Sequence, residues 1–289
     1  KTVPYVVNSM GAEAIPGSSM AAIFQHDAIS VQQTMRGCFQ EFCGCEAKSE
    51  YRVFGGHIEQ GQARHEGIPQ IGHLLEESSC LMRFCCGSMR AFNMPLTAGA
   101  PGQNGSHGET VVNYKKGCSF PLFFNIPIII PVADISTSLT CPCCCMLPAV
   151  ETVAPDGRGL GRSQYLCDIF CLVPKYDVYD KSGNLQYKVS PDTCCCGCCM
   201  MCRCGGPGAR ALYVPFNIRD PKTLETKASR MGPQNPAQIM KVWSGLKKEC
   251  CSDADNFQVI FPADADLDTR ANLLGTNVLI DFTWFETNK

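Results

Sequence analysis

The stretch that decides the fold is NFQVIFPADADLDTRANLLGTNVLIDFTWF, residues 256–285. In its first part, Phe257, Val259 and Phe261 alternate with other residues, so they share one face of a predicted strand. Its second part, from Thr269 to about Phe285, is apolar on nearly all sides, and a helix of this kind has to be surrounded by protein or lipid. The stretch therefore predicts a strand followed by an enclosed element.

The residues leave two structures open for this second part. Asp268 offers a carboxylate to the free N–H groups of a first helical turn, which favours a helix capped at that residue. Val278, Ile280 and Thr283 are β-branched, however, and such side chains are well suited to strands. Either a buried helix or a late strand agrees with the pattern.

Short strand patterns recur upstream, separated by turns rich in glycine and proline. The clearest is a hairpin in which Lys175–Tyr179 and Leu185–Val189 alternate on either side of a Ser-Gly-Asn turn. Tyr51–Phe54 and Thr110–Tyr114 have the same character. A series of short strands of this kind predicts a β-sandwich or a barrel.

Other segments are predicted to be helix or loop. Apolar residues three and four apart, such as Ile239, Trp243 and Leu246, predict an amphipathic helix over Pro236–Glu249. Residues 1–30 contain several chain breakers and are predicted to be an N-terminal extension ahead of one domain at 31–289. Loop insertions are predicted near residues 55–73, 99–109 and 205–236.

The composition excludes some functions and draws attention to the cysteines. With 25 basic and 27 acidic residues the chain has a net charge of −2, which gives no basic patch for nucleic acid. The 22 cysteines are bunched in adjacent runs. Neighbouring strand residues point to opposite faces, so such runs suit exposed thiols or metal ligands better than disulfides. We therefore expect a reducing environment, on a cytosolic face or in an organelle interior.

Neither a membrane-spanning helix nor a catalytic site is predicted. The most apolar run, residues 120–132, contains Pro121, Pro127 and Pro131 and is too short to cross a hydrocarbon core of about 30 Å. All five histidines lie at or before His107, and the sequence has no Gly-x-Ser-x-Gly or phosphate-binding loop. We expect no enzymatic activity.

Several motifs, taken in order, resemble the phospholipid scramblase family over about 31–287. They are Glu76-Glu-Ser-Ser-Cys80, Arg83-Phe-Cys-Cys-Gly87, Arg90-Ala-Phe92, Cys141-Pro-Cys-Cys-Cys145, Val150–Gly157, Cys171–Tyr176, Cys194–Cys199, Lys241–Gly245, Asp253–Asp264 and Leu279-Ile-Asp-Phe282. The resemblance implies a mainly β fold, a closed antiparallel tubby-like barrel of roughly twelve strands. It also implies that the hydrophobic C-terminal segment is a central helix, which contains Leu279, Ile280, Asp281 and Phe282.

The function that the resemblance implies is transbilayer movement of phospholipids, dependent on calcium, or the regulation of that movement. An alternative is an accessory or structural subunit of a larger membrane complex that reuses the barrel. Cysteines in one cluster match positions that carry palmitate in family members, and two acyl chains give stable anchoring where one does not. The candidate lipidation sites are Cys141, Cys143, Cys144 and Cys145.

A calcium site is also predicted, and a zinc site is an alternative role for some of the cysteines. The resemblance places calcium near Asp253–Asp264, but this segment is a poor EF-hand because Gln258 stands where a turn glycine is needed, so binding should be weak. The candidate calcium ligands are Asp253, Asp255, Asn256, Asp264 and Asp266. Cysteines separated by two residues also allow a tetrahedral zinc site. Its candidate ligands are Cys85, Cys86, Cys196, Cys199 and Cys202.

Overall fold

The structure is a computed structural model. It describes residues 19–34, 48–57, 68–101, 108–119, 147–166, 173–194, 199–201, 203–204, 212–242 and 256–286. Within these ranges the chain is mainly β, as the sequence predicts. The candidate lipidation cysteines lie outside the described residues.

Fifteen strands and three α-helices lie in the described ranges. The strands are β1 (Ala28–Gln33), β2 (Glu50–Gly55), β3 (Gln70–Leu75), β4 (Phe92–Ala98), β5 (Thr110–Lys116), β6 (Ala149–Val153), β7 (Gly159–Leu166), β8 (Lys175–Asp180), β9 (Leu185–Pro191), β10 (Thr193–Cys194), β11 (Cys199–Met200), β12 (Arg203–Cys204), β13 (Leu212–Arg219), β14 (Gln238–Val242) and β15 (Asn256–Ile260). The helices are α1 (Ser19–Phe24), α2 (Cys80–Cys86) and α3 (Leu267–Ile280), and a π-helical turn, Asp281–Phe285, continues α3.

Twelve of the strands close into an antiparallel barrel. The strands β1 to β9 pair in sequence order, β13 to β15 lead back to β1, and β9 pairs with β13. At this seam Phe216 lies opposite Pro191 and Arg219 lies opposite Lys188. The strand β12 pairs with the first residues of β13, and β10 and β11 form a separate short hairpin. Closure confirms the predicted barrel, and it pairs strands that would otherwise be open edges.

The helix α3 is packed against the inside of this barrel and forms the centre of the core. Leu273, Leu274, Leu279 and Phe282 are each 0% exposed and belong to one cluster with the inward side chains of the strands. An all-round apolar helix is stable here because strands surround it, so the helix rather than the late strand is the structure that forms.

The N-cap of this helix is Asp266. The prediction that Asp268 caps the helix was wrong. A carboxylate oxygen of Asp266 accepts a hydrogen bond of 2.8 Å from the backbone N–H of Thr269. Asp268 lies in the first turn and faces Arg158 and Lys181 at 3.4 and 3.7 Å. The helix therefore begins at Leu267, two residues earlier than predicted. The sequence does not distinguish the two acidic residues as caps, because either could accept a hydrogen bond from a first helical turn.

The helix predicted over Pro236–Glu249 was also wrong where the structure describes this segment. Gln238–Val242 is the strand β14, which pairs with β13 and β15. Ile239 faces the main core, while Met240 joins a second apolar cluster on the other face of the sheet. A strand with apolar residues on both faces lacks the alternation that identifies a strand. Together with the apolar residues that follow, those of β14 fit the spacing of a helix.

Three predicted boundaries need correction. The described part of the predicted extension belongs to the barrel domain, because it contains α1, with Ile23 and Phe24 buried in the core, and the start of β1. The predicted loops near 55–73 and 205–236 contain the start of β3 and the whole of β13. Pro215 lies within β13, and proline in a strand pattern argues against a strand.

Candidate functional site

The middle of the central helix is held by neutral hydrogen bonds to three strands. The side-chain oxygen of Asn272 accepts from Thr152 at 2.9 Å, and its amide nitrogen donates to the Tyr179 carbonyl at 2.9 Å. The hydroxyls of Thr276 and Ser163 lie 2.7 Å apart. These contacts satisfy polar groups that are buried in the barrel, and they fix the rotation of the helix about its axis.

Two glycines allow the helix to approach the strands closely. A Cβ atom added to Gly275 would lie 2.9 Å from the ring of Tyr114 and 3.0 Å from the hydroxyl of Thr152. A Cβ atom added to Gly161 in β7 would lie 2.4 Å from the amide nitrogen of Asn272. The helix therefore lies so close to β5, β6 and β7 that a residue larger than glycine at either position would clash.

Asp281 lies at the C-terminal end of α3 and is fully buried inside the barrel. Its carboxylate accepts a 2.5 Å hydrogen bond from the hydroxyl of Tyr51 in β2. Burial, and then the charge of Asp281, raise the pKa of the Tyr51 phenol well above its usual value. The enclosed Asp281 is therefore joined to the barrel wall by a hydrogen bond from a strand residue.

A buried ion pair closes the same end of the barrel. Nε of Arg90 lies 2.6 Å from Oε1 of Glu76, and an Nη lies 2.7 Å from Oε2, so the pair is bidentate. Burial alone raises the pKa of the Glu76 carboxyl, but the hydrogen bonds and charge of Arg90 outweigh it and hold that pKa below its usual value. The Arg90 guanidinium also stacks 4.8 Å from the ring centre of Phe282 and lies 3.4 Å from Glu286. Arg90 thus joins the barrel wall to the end of the central helix.

A buried lysine lies next to this pair. Nζ of Lys116 donates to the Arg90 carbonyl at 3.0 Å and to the hydroxyl of Ser119 at 3.1 Å. Burial, and then the charge of Arg90, lower the pKa of Lys116 to about 8. We call Arg90, Glu76, Lys116, Tyr51 and Asp281 the charged mouth of the barrel.

The sequence did not predict the charged mouth. Glu76 and Arg90 were noted only as letters of a motif, Tyr51 as part of a strand and Asp281 as part of the central helix. One feature of the sequence could have indicated the ion pair. Glu76 and Arg90 lie on either side of an apolar segment that contains cysteines, and charged residues are buried only when they are paired. Their partners could not be deduced, because Tyr51 and Asp281 are 230 residues apart.

The candidate zinc ligands are not brought together within the described residues. Cys85 is exposed and Cys86 is half-buried at the end of α2, where the Cys86 thiol is hydrogen-bonded with Cys118. Cys199 lies in β11, and Cys196 and Cys202 lie outside the described residues. No group of three or more His, Cys, Asp or Glu side chains that could hold a metal occurs in the part of the chain that the structure describes. The zinc site stays a prediction.

One cysteine departs from the expectation of free thiols. Cys80, the first residue of α2, is in a disulfide bond. Adjacent Cys85 and Cys86 are not. The bunched cysteines therefore do not share one chemical state, and the reducing environment stays a prediction.

The candidate calcium ligands are divided between the two ends of β15. Asn256 is the first residue of the strand and is buried, while Asp264 and Asp266 follow its last residue. A strand of five residues is about 13 Å long, so these groups lie far apart. Asp253 and Asp255 lie outside the described residues.

The two described carboxylates also have partners in the protein. Oδ2 of Asp264 lies 2.7 Å from Nζ of Lys227, and its Oδ1 accepts from the hydroxyl of Tyr187 at 3.1 Å. Asp266 caps α3 through its bond with Thr269. The described part of the set does not fit a calcium site. Calcium binding stays a prediction for the part of the segment outside the described residues.

The fold and the site define a class of protein, a closed β-barrel that encloses its own C-terminal helix. Among the helices that the structure describes, none has the length and hydropathy needed to cross a bilayer. No solved structure matches the chain significantly.

Comparison with known proteins identifies relatives of this barrel. Residues 225–287 match the Scramblase family model. The chain is 29% identical over 214 residues to phospholipid scramblase 1 of Homo sapiens, a match that covers 73% of this chain and 52% of that protein. It is 28% identical over 216 residues to phospholipid scramblase 2 of Bos taurus, covering 74% and 57%, and 26% identical over 217 residues to phospholipid scramblase family member 5 of Homo sapiens, covering 75% and 62%.

These matches confirm the resemblance to the phospholipid scramblase family. The chain spans about half the length of phospholipid scramblase 1 and less than two thirds of the length of the other two proteins. The matched family model includes β14, β15 and α3, the elements that bring the helix into the barrel.

Proposed function

We propose that this protein is associated with a membrane and takes part in the transbilayer movement of phospholipids or in its regulation. The observation that carries the proposal is similarity to phospholipid scramblases over 73% to 75% of the chain. A role in lipid translocation needs no catalytic constellation, in agreement with the absence of one from the sequence.

The packing of α3 directs attention to the outside of the barrel. The helix is buried within the barrel from Thr269 to Phe282, so this part of it presents no apolar face to lipid. Phe84 is 71% exposed on α2 and lies beside exposed Cys85. An exposed phenyl ring on a helix suits insertion into the apolar side of the boundary between water and lipid.

We propose that acyl chains on Cys141, Cys143, Cys144 and Cys145 supply the anchor. Thioesters form on reduced thiols, so the cluster is assigned to the reducing side of the membrane. Acyl–resin capture from native membranes tests the anchor. Capture that depends on hydroxylamine and is lost when the four cysteines are changed to serine is expected, and no capture would rule it out.

Calcium is proposed to act weakly, in the sub-millimolar range at best. The reason is that the described carboxylates of the segment are already paired with Lys227 or used as a helix cap. A calcium requirement in the micromolar range would place the ligands elsewhere in the chain.

Reconstitution of the full chain into vesicles tests the proposed function. Vesicles carry a trace of fluorescent phospholipid, and a membrane-impermeant reductant destroys the fluorescence of the outer leaflet alone. The loss of fluorescence is measured with and without millimolar calcium. We expect it to exceed the outer-leaflet fraction, because the protein moves inner-leaflet lipid to the outer leaflet. Bleaching that stops at the outer-leaflet fraction in both conditions would contradict lipid movement by the chain itself.

The accessory role has its own measurement. Native mass determination on a membrane extract reports the size of the particle that contains the chain. A particle much heavier than the chain, together with vesicles that show no lipid movement, would favour a subunit of a larger complex.

A further inference from the structure

A cleft lies on the outer surface of the barrel at the seam where β9 meets β13. Its volume is about 510 Å³, which falls in the range of small-molecule sites. The polar residues that line it are Lys175, Ser190, Asp192, Thr193, Arg203 and Arg219. None of them has been assigned a role above.

The charges of this cleft do not balance. Arg203 and Arg219 contribute two positive charges against the single negative charge of Asp192, with which both are paired, so this group has a surplus of one positive charge. The Arg219 and Arg203 side chains are 24% and 50% exposed, so they are accessible to a ligand. A concave surface with a surplus of one sign of charge concentrates ions of the opposite sign.

Asp192 orients both arginines, and its single negative charge offsets only one of their two positive charges. Its Oδ1 lies 2.7 Å from an Nη of Arg219 and accepts from the amide of Asn217 at 2.7 Å. Its Oδ2 is paired with Arg203. One carboxylate therefore holds the two guanidiniums on either side of it. Side chains that are positioned in advance lose less conformational entropy when a ligand binds.

The donors match the chemistry of a phosphate group. Guanidinium is planar and presents several N–H donors that pair with two phosphate oxygens at once. The hydroxyls of Ser190 and Thr193 and the ammonium of Lys175 add further donors in the same cleft. Met201, which is 38% exposed, forms part of the apolar wall. That wall suits the carbon portion of a phosphate ester.

We propose that this cleft binds a phosphate ester, whose negatively charged phosphate group is held by Arg203 and Arg219. The shared chemistry can come from a lipid headgroup or from a soluble phosphate ester. A lipid source rests on the proposed function, because it places a headgroup site on a protein that acts on phospholipids. The seam would then be the face of the barrel that meets the membrane surface.

The test compares cleft variants with a matched control in the full chain. Arg203→Gln and the double variant with Lys175→Gln remove charge from the cleft. Arg158→Gln is the control, because its side chain is 53% exposed and also faces a carboxylate, Asp268, but lies away from the cleft. Thermal melts establish that all variants fold alike.

Two probes separate the sources. Calorimetry with glycerol 3-phosphate measures the soluble ester, and flotation with phosphatidylcholine vesicles, with or without phosphatidic acid, measures the lipid. We expect Arg203→Gln to weaken binding about fivefold and the double variant more than tenfold, since each removes a charged hydrogen-bond donor. The control should stay within about twofold.

Each outcome has a separate meaning. Binding to both probes that depends on the cleft supports a lipid headgroup. Cleft-dependent binding of the soluble ester alone supports the site with a soluble ligand. No binding by the wild type, or equal losses in Arg158→Gln and Arg203→Gln, would overturn the proposal. Because binding is measured without lipid movement, a chain that moves no lipid but shows cleft-dependent binding contradicts the proposed function alone.

Discussion

The middle and the C-terminal end of the central helix are held to the barrel in different ways. In the middle, neutral groups such as Asn272 and Thr276 meet strand side chains, and Gly275 allows close contact. At the end, the charged mouth holds the helix through Asp281 and Arg90. The middle therefore depends on shape and is independent of pH, whereas the end depends on buried charges.

The largest effect is expected from breaking the ion pair of the charged mouth. Glu76→Gln leaves the buried Arg90 guanidinium without its counter-charge, and the free energy of unfolding should fall by about 3–5 kcal/mol. Glu77→Gln is the matched control, because this neighbour is exposed and bonded to Asn93 at the surface. Urea unfolding measures both. Equal stability of the two variants would mean that the mouth does not hold the helix.

A smaller effect is expected where the middle of the helix contacts β5 and β6. Gly275→Ala puts a methyl group against Tyr114 and Thr152 and should destabilise the fold by about 1–3 kcal/mol, although alanine ordinarily stabilises a helix. Gly117→Ala is the control, since a Cβ at Gly117 meets nothing within 4 Å. A stabilising Gly275→Ala would show that the close contact is absent.

The charged mouth should also make stability depend on pH. The pKa of Lys116 is lowered to about 8 in the folded state, so between pH 8 and 10 the unfolded chain binds more protons and stability rises with pH. Relative to Lys116→Met, the wild type should gain about 2 kcal/mol over this range. Urea unfolding at several pH values measures the gain.

Lys115→Met is the control for this experiment, because Lys115 is exposed beside the buried lysine. It should retain the dependence of the wild type on pH. Parallel stability profiles for wild type and Lys116→Met would contradict the buried state of the Lys116 ammonium.

The smallest effect is expected outside the barrel, at the acidic segment. Asp264→Ala breaks a surface ion pair with Lys227 and should cost about 1 kcal/mol or less. Because the described carboxylates are already paired, millimolar calcium should change the melting temperatures of wild type and variant by the same amount. A calcium-induced rise that disappears in Asp264→Ala would place calcium at this carboxylate after all.

Local patterns in the sequence predicted the parts of the fold that depend on local structure. The hairpin of β8 and β9 and the strand β15 alternate clearly, and both are present. The strand β14 was missed because apolar residues lie on both of its faces, whereas in β15 Asn256 and Gln258 alternate with Phe257 and Val259. The resemblance to scramblases decided between helix and strand for α3, which the residues alone left open.

The candidate site was less predictable because its contacts join distant parts of the chain. Arg90 meets Glu286 from 196 residues away, and no local spacing indicates such a pair. The same limit applies to the seam, where Asp192 joins Arg203 and Arg219 from two different strands. Burial and pairing of charges become visible only when the barrel is closed.

The most direct test of the central claim, that the barrel encloses its C-terminal helix, is photolabelling from within the membrane. The full chain is bound to vesicles that contain a lipid-dissolved carbene precursor, and labelled peptides are mapped by mass spectrometry. We predict no label on residues 269–282, because this part of the helix is buried within the barrel. Label on the helix from Leu273 to Phe282 would show that it faces lipid and would contradict the enclosed helix.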